Sequence, residues 1–144
     1  MPTFLSNHQE GVWHLSESIL NVAKNEPKSY FYRGVAYGQQ GKTDLAIADF
    51  SQAIKINPLY ADAYLHRGNR YDDRNKIVQA ITDYNQAIKI NNKYGKAYLA
   101  RALANMKNGN KLEAIKDLET AKQLFQQQND TKGYQIVQEF LNKL

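Results

Sequence analysis

ADAYLHRGNRYDDRNKIVQAITDYNQAIKINNKY, residues 61–94, is the stretch whose reading decides the fold. In its first half, Tyr64, Leu65, Gly68 and Tyr71 recur at spacings of three and four, one face of a helix. Asn75 and Lys76 interrupt the pattern. In the second half, Ile77, Ala80, Ile81, Tyr84, Ala87 and Ile88 again share one helical face, and Asn91-Asn92-Lys93 closes it. Two antiparallel helices joined by a short turn are predicted, over 61–74 and 77–90. No run alternates with the period of two that a half-buried strand requires.

The same pattern recurs on both sides. Tyr30, Tyr64 and Tyr98 stand 34 residues apart, as do Arg33, Arg67 and Arg101, and Gly34, Gly68 and Ala102. In the second helix the sets are Ala46, Ala80, Ala114; Asp49, Asp83, Asp117; Phe50, Tyr84, Leu118; and Ala53, Ala87, Ala121. Residues 27–60 and 61–94 share 15 identities, whereas 61–94 and 95–128 share 8, so the third unit has drifted. The breaks recur too. Gly41 precedes the second helix of unit one, and Asn57-Pro58 ends it, since proline cannot continue a helix. Unit three breaks at Gly109-Asn110 and at the polar run Gln126 to Asp130. Gly34 and Gly68 fall mid-helix, where glycine costs about 1 kcal/mol against alanine. That cost is tolerable where two helices must approach closely.

A 34-residue helix–turn–helix unit with these residues at set offsets resembles the tetratricopeptide repeat. Unit one supplies Tyr30, Gly34, Tyr37, Ala46, Phe50, Ala53 and Pro58. Unit two supplies Tyr64, Gly68, Tyr71, Ala80, Tyr84 and Ala87, with Asn92 in the place of proline. Unit three supplies Tyr98, Ala102, Ala114, Leu118 and Ala121, and departs at Asn105 and Gln126. The related 35-residue RNA-reading repeats fit less well, because the period here does not slip. The expected architecture is all-α: a right-handed α–α superhelix of three helix pairs at 27–60, 61–94 and 95–128. A helix within 1–26 and another within 129–144 are expected to cap it. At the first end Val12, Leu15, Ile19 and Val22 fall at helical spacing in 8–25, and Pro27 suits the first position of the next helix. At the other, Tyr134, Val137, Phe140, Leu141 and Leu144 are expected to form the face that covers the last repeat.

Composition narrows the function. The chain has 144 residues, 42% of them hydrophobic and 23% charged, in the range of an ordinary globular domain. Without cysteine there is no thiolate metal site, disulfide or cysteine nucleophile. His8, His14 and His66 fall at unrelated places, and neither phosphate-loop nor zinc-protease nor serine-hydrolase motifs occur. Asp72 and Asp73 are adjacent on a helix and so point apart, which suits no acid–base pair. No enzyme, cofactor or metal is expected. The net charge of +5 is spread over scattered lysines, unlike the stripe of a nucleic-acid footprint. Neither a secretory leader nor an apolar run of the ~20 residues that span a bilayer is read, so a cytoplasmic location is expected.

A protein–protein interaction module is the expected function. The resemblance implies that a peptide or helix of a partner lies on the concave face, along the first helix of each unit. Carried over position by position, that lining is Lys28, Phe31, Val35 and Gln39; then Asp62, Leu65, Asn69, Asp72 and Asp73; then Lys96, Leu99, Leu103, Met106 and Lys107. Some of the apolar members could instead serve packing between repeats. Asn69 can bond an extended backbone, Asp72 and Asp73 would suit a cationic side chain, and Lys96 with Lys107 an anionic one. Family members that hold chaperone tails clamp a terminal carboxylate with basic and Asn side chains. The matching positions here are Phe31, Val35, His66, Lys96 and Ala100, of which only Lys96 keeps the type, so such a clamp is not expected. The periodic Arg33/Asp49, Arg67/Asp83 and Arg101/Asp117 sets are read as structural ion pairs, with an anion-binding arginine ladder as the alternative. Most of the ten tyrosines sit at core offsets, while Tyr32 is off that pattern and is expected at the groove. Polyanion binding through the basic surface, and self-assembly by stacking of repeats into a homo-oligomer, are the alternatives to a peptide-binding adaptor.

Overall fold

The computed structural model describes residues 25–144. Seven helices occur among these residues: α1 Pro27–Gln39, α2 Thr43–Ile56, α3 Ala61–Asp73, α4 Ile77–Ile90, α5 Gly95–Lys107, α6 Lys111–Gln127 and α7 Thr131–Asn142. No strand occurs among the described residues. The helix expected over 8–25 lies outside them, apart from Asn25. Each helix packs on the next, and α1, α3 and α5 also touch in sequence, so the first helices of the units form one layer.

The turns inside the three units share one device. Gly41 (φ 75°), Asn75 (φ 58°) and Gly109 (φ 82°) each take a left-handed backbone, the conformation that reverses the chain after a helix. Between units the device is a side chain. Asn57 accepts from the Leu59 N–H and Asn91 from the Lys93 N–H, both at 3.1 Å, closing a turn that mimics backbone.

Within a unit the two helices meet through a ring laid on a glycine. A Cβ added at Gly34 would sit 2.8 Å from Phe50 Cε1, and one at Gly68 would sit 2.6 Å from Tyr84 Cε1. Phe50 and Tyr84 are both 1% exposed, and full burial of such a side chain contributes about 1.5–3 kcal/mol. In unit three the ring is replaced by Leu118, and the facing residue is Ala102. The smaller knob leaves room for a methyl, which explains why the third unit drifted at both positions together.

A second tie is ionic. Arg33 donates through Nε and Nη2 to both carboxylate oxygens of Asp49 at 2.7 and 2.8 Å. Arg67 does the same to Asp83 at 2.8 Å, and Arg101 to Asp117 at 2.7 Å. The remaining Nη1 of Arg67 donates to Ser51 and that of Arg101 to Asn85, each on the preceding unit. Each of these two arginines thus joins its own helix pair to the one before it. The guanidinium groups also lie 5.5–6.0 Å from the ring centres of Tyr30 and Tyr37, Tyr64 and Tyr71, and Tyr98. These tyrosines are therefore half of a cation–aromatic packing device, and only Tyr37 among them is fully buried. The ladder reading is replaced by paired, inward-facing arginines.

The C-terminal end departs from the repeat. Where units one and two carry Asn57 and Asn91, unit three carries Phe125, and α6 runs on to Gln127. Phe125 is 3% exposed and wedged between two glycines: a Cβ at Gly95 or at Gly133 would come within 2.8 Å of its ring. Asp130 then caps α7 by accepting from the Gly133 N–H at 2.9 Å. Val137 is fully buried, with Tyr134 and Leu141 packed beside it. Phe140 (36%) and Leu144 (40%), expected in that face, remain exposed, because Gly133 rather than a large side chain makes the close approach to α6.

Candidate partner-binding groove

The residues read as lining the groove divide into three sets. Phe31 (8% exposed) and Leu65 (4%) belong to the packing between units. Phe31 lies 5.7 Å from Phe50, 5.1 Å from Tyr60 and 5.1 Å edge-on from His66, measured between ring centres. Neither residue offers a groove surface, which corrects the carry-over at those two positions. Val35, Asn69, Asp72, Leu99 and Leu103 are half-buried, and Lys28, Gln39, Asp62, Asp73, Lys96, Met106 and Lys107 are exposed.

Several polar members are already engaged with each other. Lys107 Nζ reaches across from α5 to both oxygens of Asp72 on α3, at 2.9 and 3.0 Å. The Tyr94 hydroxyl donates to Asp62, and the Tyr84 hydroxyl donates to Asn69 at 2.8 Å. Burial, with Asp62 beside Tyr94 and the carboxylates of Asp72, Asp73 and Asp83 around Tyr84, pushes both hydroxyls well above the ordinary tyrosine range, so both stay protonated donors. Burial likewise raises Tyr60 to about 12. The α3–α5 half of the layer is thus bridged near both ends of α3.

The α1–α3 half is open. Gly34, Val35, Gly38, Gln39, Phe50, His66 and Arg70 line a cleft of about 340 Å³ there. Gly38 stands where units two and three carry Asp72 and Met106, so α1 sends no side chain across the gap from this position. Arg70 fills part of it, with Nη1 3.2 Å from Asp73 and 3.5 Å from the Gly38 carbonyl oxygen. His66 packs over Phe31 and Phe50. Burial lowers its pKa, Asp62 opposes the shift, and Arg70 and Lys96 add to it, so the imidazole is held neutral at pH 7.

Arg70 and Tyr94 were not singled out by the sequence reading. A signal for Arg70 was present: the equivalent residues are Ala36 and Ala104, both buried, and a long cation in place of a buried alanine is a departure with a reason. No group of three or more His, Asp or Glu side chains among the described residues is placed to hold a metal. No helix among them is long and apolar enough to cross a membrane.

Tetratricopeptide repeat models match residues 27–60 and 95–128, and a TPR repeat model matches 68–109. No curated protein matches the chain in sequence. Among solved structures, the second TPR of Spaghetti (RPAP3), bound to the HSP90 peptide SRMEEVD, is 30% identical. It aligns over 75% of this chain and 98% of its own, with a TM-score of 0.68. The Arabidopsis OM64 TPR domain is 26% identical over 92% of this chain and 98% of its own, with a TM-score of 0.70. The crystal structure of MamA, 24% identical over 86% of this chain and 82% of its own, has a TM-score of 0.71 and bears on the fold alone. With family matches running through all three helix pairs, and a solved relative at 30% identity, the chain belongs to the tetratricopeptide repeat family.

Proposed function

We propose that the protein is an adaptor that holds a peptide segment or helix of a partner protein on the layer formed by α1, α3 and α5, with no bond chemistry. The observation that carries this reading is the uneven groove. A cleft between α1 and α3 lies in the same helix layer as Leu99, Leu103 and Met106 on α5, of which Met106 is 37% exposed. Apolar contact supplies affinity there, and the cleft supplies orientation. The relative bound to an HSP90 peptide supports peptide binding as the use of this fold. It does not extend to the same ligand, because Phe31 and His66 pack edge to face on one another where a carboxylate clamp needs free polar side chains. We place the three repeats at 27–128 as the binding unit and the adaptor in the cytoplasm, with micromolar affinity, about −8 kcal/mol.

The test is a pull-down from the native cell extract with wild type and Leu103→Glu side by side, after circular dichroism has shown equal helicity. A protein held by the wild type and lost by the variant supports the groove. Retention by both removes the site from this face. Recovery of nucleic acid alone, released by nuclease and by salt, would replace the proposal with polyanion binding.

A further inference from the structure

The α1–α3 cleft contains a cation whose hydrogen-bonding capacity is largely unused. Arg33, Arg67 and Arg101 each hold a carboxylate with two bonds of 2.7–2.8 Å. Arg70 has one 3.2 Å contact to Asp73, itself 49% exposed, and one long contact to a carbonyl. A guanidinium offers five donors in a planar fork that matches a carboxylate. The position whose side chain would close over that fork is Gly38, which carries none. A Cβ there would stand 3.0 Å from Arg70 Nη1. The next gap along the layer shows the filled alternative, with Asp72 and Lys107 bridging it.

We propose that this cleft is a subsite for the carboxylate of an Asp or Glu side chain within the bound peptide, and that Arg70 is its specificity-determining residue. The inference rests on the groove reading above. The charged groups around the cleft are consistent with it. Lys96 on α5 is an exposed cation close enough to bear on His66, and Asp62 on α3 is occupied by Tyr94. Among the described residues, Asp73 is the carboxylate paired with Arg70. His66 is the neutral wall. A terminal carboxylate would use the same chemistry, but Phe31, Val35 and Ala100 provide no side-chain donors to surround two oxygens at a chain end.

The probe is a random heptapeptide library displayed on phage with its C-terminus fused, selected on the wild-type chain. Selected sequences are then made as free peptides, amidated at the C-terminus, and titrated by fluorescence anisotropy. The expected result is enrichment of Asp or Glu at one position, with Glu→Gln in the peptide weakening wild-type binding about tenfold. Arg70→Gln should remove that difference, and Asp73→Asn should enlarge it. Gly38→Ala, which puts a methyl against the guanidinium and keeps a good helix former, should act like Arg70→Gln without loss of fold. Absence of acid enrichment, or a Glu→Gln penalty that persists in Arg70→Gln, overturns the subsite and leaves the groove. Binding only by peptides with a free terminal carboxylate assigns the cleft to chain ends and overturns the side-chain reading. Recovery of no peptide, or of peptides indifferent to Leu103→Glu, removes the groove and the subsite with it.

Discussion

Replacing Gly34 by alanine should destabilise the chain, and replacing Phe50 by leucine should reverse the sign. The new Cβ would lie 2.8, 3.0 and 3.1 Å from Cε1, Cδ1 and Cζ of Phe50, a ring that is 1% exposed and packed against Phe31 and His66. Overpacking of this kind costs about 1–3 kcal/mol. Alanine gains about 1 kcal/mol over glycine in a helix interior, so the net loss is about 1 kcal/mol. With leucine at position 50 the pair reproduces Ala102 facing Leu118, both of which are buried in the third unit. In that background Gly34→Ala should keep its helical gain of about 1 kcal/mol, so the coupling between the two sites is about 2 kcal/mol. Urea unfolding of the four proteins, followed by far-UV circular dichroism, measures it directly. Thermal midpoints should move by about 2–4 °C per kcal/mol. A stabilising Gly34→Ala in the wild type, or effects additive to within about 0.5 kcal/mol, would refute the ring-on-glycine account.

Other consequences are open to measurement. Arg67→Leu should cost about 3–5 kcal/mol in urea unfolding, since it strands the nearly buried Asp83 carboxylate, whereas Lys107→Ala should cost less than about 1 kcal/mol, because its bridge to Asp72 is exposed. Asn75→Ala should lower stability by about 1 kcal/mol through its left-handed backbone, and Asn75→Gly should not, as thermal denaturation of the two will check. The lowered pKa of His66 means the folded chain binds fewer protons than the unfolded one below the ordinary histidine value of about 6.5. Stability should therefore be fully present above that pH and fall as pH drops below it, and His66→Phe should flatten the profile below about pH 6.5.

The helix limits were legible because their stops are written in residues that do one thing. Gly41, Asn75 and Gly109 turn the chain by backbone conformation, and Asn57 and Asn91 by a bond to the residue two ahead. The Arg–Asp partners were legible for a similar reason: a fixed spacing of 16 residues places them on the two helices of one unit. The groove was less so. The repeat phase says which face of α1, α3 and α5 looks inward, but Asp72 meeting Lys107 and Asp62 meeting Tyr94 depend on how neighbouring units rotate, which no spacing within a unit records. Phe31 and Leu65 were assigned to the groove for the same reason, since small differences in helix rotation decide whether a residue on that face opens outward or packs on the next ring. Phe125 could not be read as a wedge because its partners Gly95 and Gly133 lie on two different helices.

That wedge has a consequence for how the array can grow or shrink. The spacing from Tyr30 to Tyr64 to Tyr98 is 34 residues, but from Tyr98 to Tyr134 it is 36. The extra turn of α6 that carries Phe125 therefore acts as a phase shift that punctuates the series. A unit duplicated or deleted at the 60/61 boundary leaves every later residue in register, because Asn57 to Tyr60 and Asn91 to Tyr94 are interchangeable joints. A unit appended after residue 127 meets a joint of a different length and would arrive rotated against its neighbour. An engineered change in repeat number is therefore channelled to the N-terminal side of the wedge.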